Sequence, residues 1–184
     1  MHFVETPLKD AFRIELDPKN DSRGAFCRLF CSQLFEEHGI KESHFVQMNL
    51  SDNLHKGTLR GLHYQEEPYL EAKIVYCLKG SVYDVIVDLR PSSSTYMCHF
   101  GTKLAMDHPT AFYIPKGFAH GFITLEENSQ LLYLMSEFYK AGYERGYRYD
   151  DSAFKIEWPF APTLISERDQ NYLPFQEPHA LQTL

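Results

Sequence analysis

The stretch KIVYCLKGSVYDVIVDL, residues 73–89, places two β-branched, ring-bearing apolar runs on either side of Lys79-Gly80. A Gly between two such runs marks a chain reversal, so the segment reads as two strands joined by a tight turn, a hairpin. Outward from it, short runs of the same kind recur between turn signals, at 12–16, 25–30, 45–51, 59–65, 72–78, 81–89, 97–106, 111–114, 121–125 and 130–138. One segment differs. SQLFEEHGI, residues 32–40, is amphipathic at helical spacing, with Ser32 as N-cap and Gly39 as the C-terminal stop. So many strands with one short helix give an all-β chain, and a sandwich or closed barrel is the form that leaves fewest exposed edges.

A chain of 184 residues suits one domain spanning 1–184. At that size about 70% of the unfolded chain's surface can be buried, so the fold needs neither disulfide nor structural metal. Cys27, Cys31, Cys77 and Cys98 show no CxxC spacing and sit in apolar surroundings, which predicts reduced, mostly buried thiols. Past Trp158 the chain turns Pro-rich (Pro159, Pro162, Pro174, Pro178), so strands should give way to loops, with a loose tail after about 175. The beginning, MHFVETPLK, has no basic, apolar signal pattern, and no run approaches the ~18 apolar residues of a membrane span. The expectation is a cytoplasmic protein without membrane contact. With 18 Lys and Arg against 25 Asp and Glu, the net charge of -7 argues against a nucleic-acid face. It leaves room for a small anionic ligand in a pocket lined by some of the 12 Tyr and 14 Phe.

The chemistry concentrates in three places. IPKGFAHGF, residues 114–122, contains Pro-x-Gly-x-x-His. Pro115 and Gly117 supply a turn that sends the next strand back across a barrel with His120 facing the lumen. This pattern resembles the second half-motif of cupin jelly rolls, although a hydrogen-bonded interior histidine is the plain alternative. In metal-binding cupins the first half-motif carries His-x-His and a Glu; here that place reads His63-Tyr64-Gln65, so no metal is expected. KGTLRGLHYQ, residues 56–65, followed by Lys73, packs Arg60, His63 and Lys73 into apolar strands, where they are costly without a ligand or a solvated cavity. Strict alternation would send Arg60 and His63 to opposite faces, so a shared site requires a bulge, for which Gly61 is suited. In FVQMNLS, Gln47 and Asn49 are two apart and share a face.

Taken in order, DSRGAF, FVQMNLS, KGTLRGLHYQ, the Lys of EAKIVYC, GSVYDVIVDLR, IPKGFAHGF, LLY, FKIEWP and SERD resemble the dTDP-4-dehydrorhamnose 3,5-epimerases. These are cupin-fold enzymes of nucleotide-deoxysugar synthesis, and the resemblance runs from about Arg23 to about Asp169. It implies a double-stranded β-helix jelly roll with a loop-rich C-terminal segment. It also implies a cofactor-free enzyme that inverts the carbons flanking a C4 ketone through an enolate. Such a reaction needs a base on one face of the ring and an acid on the other. By resemblance His63 is the base, Asp169 orients its imidazole, Tyr133 is the acid and Lys73 stabilises the enolate oxygen. A core aromatic, a loop cap and an exposed strand lysine are the plain alternatives for Tyr133, Asp169 and Lys73.

The resemblance also implies a binding set. Arg23 and Arg60 would hold the diphosphate, and Gln47 and Asn49 the nucleotide. His120 would contact the sugar, Tyr139 would stack on the base, and Phe26, Glu144 and Arg168 would complete the set. It implies a homodimer whose strands cross between subunits, and surface polysaccharide as the destination of the sugar. Two departures bear on the substrate. The family places a Glu two residues beyond the Phe of the Arg-Gly segment, where this chain has Arg28, and Lys and Thr after the Tyr, where it has Leu134, Met135 and Ser136. Exchanging an acceptor for a cation changes which base edge or hydroxyl is accepted, and Arg28 is counted with the binding set for that reason. The alternatives are therefore an epimerase acting at C3 alone on a CDP- or other NDP-linked sugar, and a non-catalytic cupin that binds a sugar nucleotide.

Overall fold

The computed structural model describes residues 1–176, so nearly all of the tail expected after about 175 lies outside the described residues. The strands are β1 (His2–Glu5), β2 (Phe12–Glu15), β3 (Lys19–Asp21), β4 (Gly24–Phe26), β5 (Gln47–Asn53), β6 (Thr58–Gln65) and β7 (Lys73–Lys79). They continue with β8 (Ser81–Asp88), β9 (His99–Ala105), β10 (Thr110–Ile114), β11 (Phe118–Thr124), β12 (Ser129–Met135), β13 (Glu144–Gly146) and β14 (Leu164–Ile165). Helix α1 (Ser32–Glu37) precedes β5, and α2 (Glu167–Gln170) closes the described chain.

Two sheets face one another, as the all-β jelly-roll reading requires. The first runs β1-β2-β10-β7-β12-β5 and the second β13-β6-β11-β8-β9, with β14 also beside β6. Strand β7 shows why its sequence is apolar without alternation. Val75 and Cys77 join the core between the sheets, which Val82, Ile86, Phe112 and Phe122 also fill. Ile74 and Tyr76 face the other way and pack with Phe35 and Tyr113. The second sheet is covered in turn by the C-terminal segment, which lays Tyr147, Phe154 and Trp158 over Leu62, Val87 and Ala119. Strands covered on both faces read as continuous apolar runs.

That burial overturns the hairpin expected at Lys79-Gly80. β7 pairs with β10 and β12, and β8 with β11 and β9, so the turn is a corner between sheets rather than a hairpin. Gly80 has φ +68°, and a Cβ there would lie 2.5 Å from Ser129 Oγ. The turn signal marked where the chain changes direction but carried no information on strand pairing.

Other boundaries shift for local reasons. The strand expected at 25–30 survives only as Gly24–Phe26, paired with β3 in a separate ribbon. Cys31, not Ser32, occupies the N-cap and makes no side-chain cap bond. The six-residue helix is held by Phe35, fully buried among Phe3, Phe30, Phe45 and Tyr113. Burying such a ring contributes about 2–3 kcal/mol, more than a cap supplies. The Pro-rich segment still forms β14 and α2, so the described residues hold two short helices rather than one. Only Cys77 is buried; Cys27 and Cys31 are half-buried and Cys98 is exposed, contrary to the expectation of mostly buried thiols. Burial pushes the Cys77 thiol up to about 11. Among the described residues no helix is long and apolar enough to cross a membrane.

Candidate active site

The bulge is the local feature that assembles the site. His63 of β6 stands opposite His120 of β11, yet Arg60 stands opposite Phe122, so three steps along β6 match two along β11. The extra residue turns both Arg60 and His63 toward one cleft. Gly61 carries it at φ +115°, where a Cβ would lie 2.5 Å from the Gly121 Cα and 2.7 Å from the His120 carbonyl oxygen. Only glycine fits this approach of two backbones.

Across the cleft from β6 lies the first sheet. Arg60, His63 and His120 come from the second sheet, while Asn49, Lys73 and Tyr133 come from the first, around a space of about 260 Å³. An adjoining space of about 130 Å³ shares Asn49, His63 and Lys73 and extends past Gln47 to Tyr139 and Glu144. Gln47 Nε2 donates to Asn49 Oδ1 at 3.2 Å, so the pair does share a face. The Tyr139 amide donates to Gln47 Oε1 at 3.1 Å, and the Tyr139 hydroxyl donates to Glu144 Oε2 at 3.3 Å. Arg168 pairs with the same Glu144 oxygen at 2.7 Å.

Helix α2 brings up a carboxylate from the far end of the chain. Asp169 Oδ1 lies 2.7 Å from His63 Nε2, and its Oδ2 accepts the Gly61 N–H at 3.2 Å. Ser166 caps the helix by accepting the Asp169 N–H at 3.1 Å. Burial alone would raise the Asp169 carboxyl. The bond and charge of His63, the Gly61 N–H and Ser166 outweigh burial and hold the carboxyl below its ordinary value. An ionised Asp169 keeps the proton on Nε2 and leaves the imidazole's other nitrogen as a lone pair. Tyr172 packs edge-on to the His63 ring at 5.8 Å.

A second dyad lies behind the first. His120 Nε2 is 2.9 Å from Asp84 Oδ2 and 3.0 Å from Oδ1, and both residues are buried. Burial raises the Asp84 carboxyl despite the opposing charges of His120 and Lys73. Tyr133, half-buried, meets the His120 ring edge-on at 5.9 Å. Desolvation first, then the Asp84 charge, pushes its phenol well above the ordinary value, so it stays protonated. Lys73 is buried, with Nζ 2.9 Å from Glu71 Oε1, rather than exposed on its strand. Arg60 Nε donates to Asn53 Oδ1 at 2.8 Å.

Three residues of the expected set are not brought to this cleft. Arg23 and Phe26 sit on the β3–β4 ribbon, Arg23 paired with Asp21 at 2.6 Å and Phe26 79% exposed. Arg28 lines a different groove with Phe26, Asp17 and Leu34. Conversely, sequence reasoning passed over Asp84 and Glu71. The signal for Asp84 was a lone carboxylate inside the apolar run VYDVIV, which must find a cationic partner when buried. Among the described residues no group of three or more His, Cys, Asp or Glu side chains is placed to hold a metal ion.

Residues 5–177 match a family model described as dTDP-4-dehydrorhamnose 3,5-epimerase. A protein of that name from Shigella flexneri is 40% identical over 171 residues, covering 93% of this chain and 94% of its own. The crystal structure of the dTDP-4-dehydrorhamnose 3,5-epimerase of Elizabethkingia anophelis superposes with a TM-score of 0.90 at 40% identity, covering 95% of this chain and 96% of that one. A dTDP-6-deoxy-D-glucose-3,5-epimerase of Legionella pneumophila, solved with dTDP-4-keto-L-rhamnose, gives 0.86 at 36% identity, with coverage of 91% and 89%.

Proposed function

The chain belongs to the dTDP-4-dehydrorhamnose 3,5-epimerase family, and on that premise we propose how its own residues invert C3 and C5 of a dTDP-linked 4-keto-6-deoxyhexose. It is an isomerase of the carbohydrate epimerase class. One observation carries the assignment of roles: the His63–Asp169 dyad belongs to one sheet's side of the cleft, and Tyr133 to the opposite sheet. A base and an acid on opposite faces of one sugar ring are what inversion requires.

His63 removes the proton from the carbon next to the ketone, and Asp169 stabilises the imidazolium that forms. Negative charge moves onto the C4 oxygen, where Lys73 meets it; that charge exists only after deprotonation, so the interaction favours the enolate over the ketone. Tyr133, kept protonated by its surroundings, returns a proton from the other face. His120, fixed by Asp84, contacts the sugar. Arg60 takes one side of the diphosphate. Gln47, Asn49, Tyr139, Glu144 and Arg168 hold the nucleoside, with Tyr139 stacking on the base.

Arg23, Phe26 and Arg28 act in the site of a second subunit. The exposed ribbon β3–β4 supports a homodimer in which it crosses to the partner, as do the apolar Met48 (66% exposed) and Leu50 (60% exposed) on edge strand β5. Nucleotide sugars are made from nucleoside triphosphates, which places the reaction in the cytoplasm. The test is to incubate the protein with dTDP- and CDP-4-keto-6-deoxyglucose and read product stereochemistry by NMR. Inversion at both C3 and C5 of the dTDP sugar is expected. Inversion at C3 alone, or preference for the CDP sugar, would overturn the assignment.

A further inference from the structure

Glu71 stands immediately before β7, two residues ahead of Lys73, and both side chains are almost fully buried, at 4% and 8% exposure. One carboxylate oxygen lies 2.9 Å from the Lys73 ammonium, and the other, Oε2, is buried without a hydrogen-bond partner among the described residues. A buried ion pair is a poor source of stability, because desolvation of the charges consumes most of their attraction. Leaving one oxygen unsatisfied makes the arrangement costlier still. Stability therefore does not explain Glu71.

The surroundings of Lys73 supply another reason. Facing it are His63 from β6, Asp84 from β8, His120 from β11, Tyr133 from β12 and Glu144 from β13. Asp84 is bound by His120 through both oxygens. Among the described residues Glu71 is the only carboxylate within ion-pair distance of the ammonium, whose other polar contact is the His63 carbonyl at 3.5 Å. An ammonium buried in such a place without a counter-charge would lose its proton or swing out of the cleft.

We propose that Glu71 is a positioning residue for Lys73: its carboxylate keeps the ammonium charged and aimed into the cleft before substrate arrives. The proposal rests on the reading of Lys73 as the group that meets the enolate oxygen. Held in place beforehand by Glu71, the ammonium can meet the oxygen on which charge develops with no reorganisation during the reaction.

The experiment compares wild type with Glu71→Gln, which keeps shape and an acceptor but removes the charge. Lysine labelled with 13C at Cε reports the titration of Lys73 by NMR, its signal assigned by loss in Lys73→Met. In Glu71→Gln the Lys73 midpoint should fall by one pH unit or more, roughly tenfold in proton affinity. With dTDP-4-keto-6-deoxyglucose, kcat should fall about tenfold with KM little changed, and the alkaline limb of the rate profile should move to lower pH. Glu71→Asp, which retains the charge at shorter reach, should lower the midpoint by less than half as much, and Glu71→Met, which also removes the charge, replaces Glu71→Gln if that variant does not fold. The same Lys73 midpoint in wild type and both variants would overturn the proposal. A shifted midpoint in a protein that does not turn over this substrate would uphold Glu71's hold on Lys73 and overturn the functional reading instead.

Discussion

Replacing Asp169 by Asn removes a charge while preserving the shape around His63. The carboxylate oxygen lies 2.7 Å from His63 Nε2, and the imidazole is 31% exposed. Unit charges at that separation attract by about 1.5 kcal/mol in bulk water and about 6 kcal/mol at an effective dielectric near 20. A partly exposed ring lies between these limits, and about 3 kcal/mol corresponds to a loss of roughly 100- to 200-fold in the step that forms the imidazolium. The amide can also present its NH₂ to Nε2, which would move the ring proton to the nitrogen that should act as base. Both effects fall on kcat. KM should change little, since Asp169 lies behind His63 and holds it rather than the substrate. The assay is a steady-state rate with dTDP-4-keto-6-deoxyglucose across pH 6 to 9, with thermal unfolding as the folding control. A variant that folds normally and retains more than about a third of wild-type kcat would refute the reasoning.

Other changes test separate parts of the account. Tyr133→Phe should lower product formation about 100-fold while proton removal by His63 continues, visible as solvent deuterium entering the substrate faster than product appears. Gly61→Ala would put a Cβ 2.5 Å from the Gly121 Cα; we expect a loss of about 2–3 kcal/mol in urea unfolding and collapse of activity, because the bulge that turns Arg60 and His63 into one cleft cannot form. The Tyr76, Tyr113 and Tyr133 phenols are all pushed up by burial from their ordinary value of 10.0. Their folded values exceed the unfolded ones, so this contribution to stability is intact below pH 10 and is lost as pH rises beyond it; thermal unfolding followed from pH 8 to 11.5 should show the midpoint falling from about 9, where the buried Cys77 thiol begins to lose its contribution, and more steeply above 10.

Much of the fold was legible because turn glycines and period-2 runs locate strands, and nine of the ten expected runs coincide closely with strands of the two sheets. Pairing was not legible. Lys79-Gly80 looks the same whether the following strand folds back beside β7 or crosses to the other sheet, and only the layers that bury both faces of β7 decide it. The site divides similarly. Gly61 could be identified as a bulge because Arg60 and His63 had the wrong parity for a shared face, a purely local argument. Asp84 escaped because a lone carboxylate acquires meaning from its partner, and His120 lies on a strand that only the folded sheet brings near; Glu71 stands two residues from Lys73, but the sequence does not show that both side chains are buried and paired. Arg23 and Phe26 show the reverse: a motif names them, yet a single chain leaves them on a ribbon outside the cleft, with Arg28 just beyond it.

The central claim is that His63, supported by Asp169, removes the protons at both carbons flanking the ketone. The most direct measurement incubates wild type and His63→Ala with dTDP-4-keto-6-deoxyglucose in D₂O and follows deuterium at C3 and C5 by NMR. The account predicts incorporation at both positions by wild type and a loss of about 100-fold or more at both in His63→Ala. Deuterium entering at an unchanged rate in His63→Ala, or no deuterium at C5 with wild type, would contradict it.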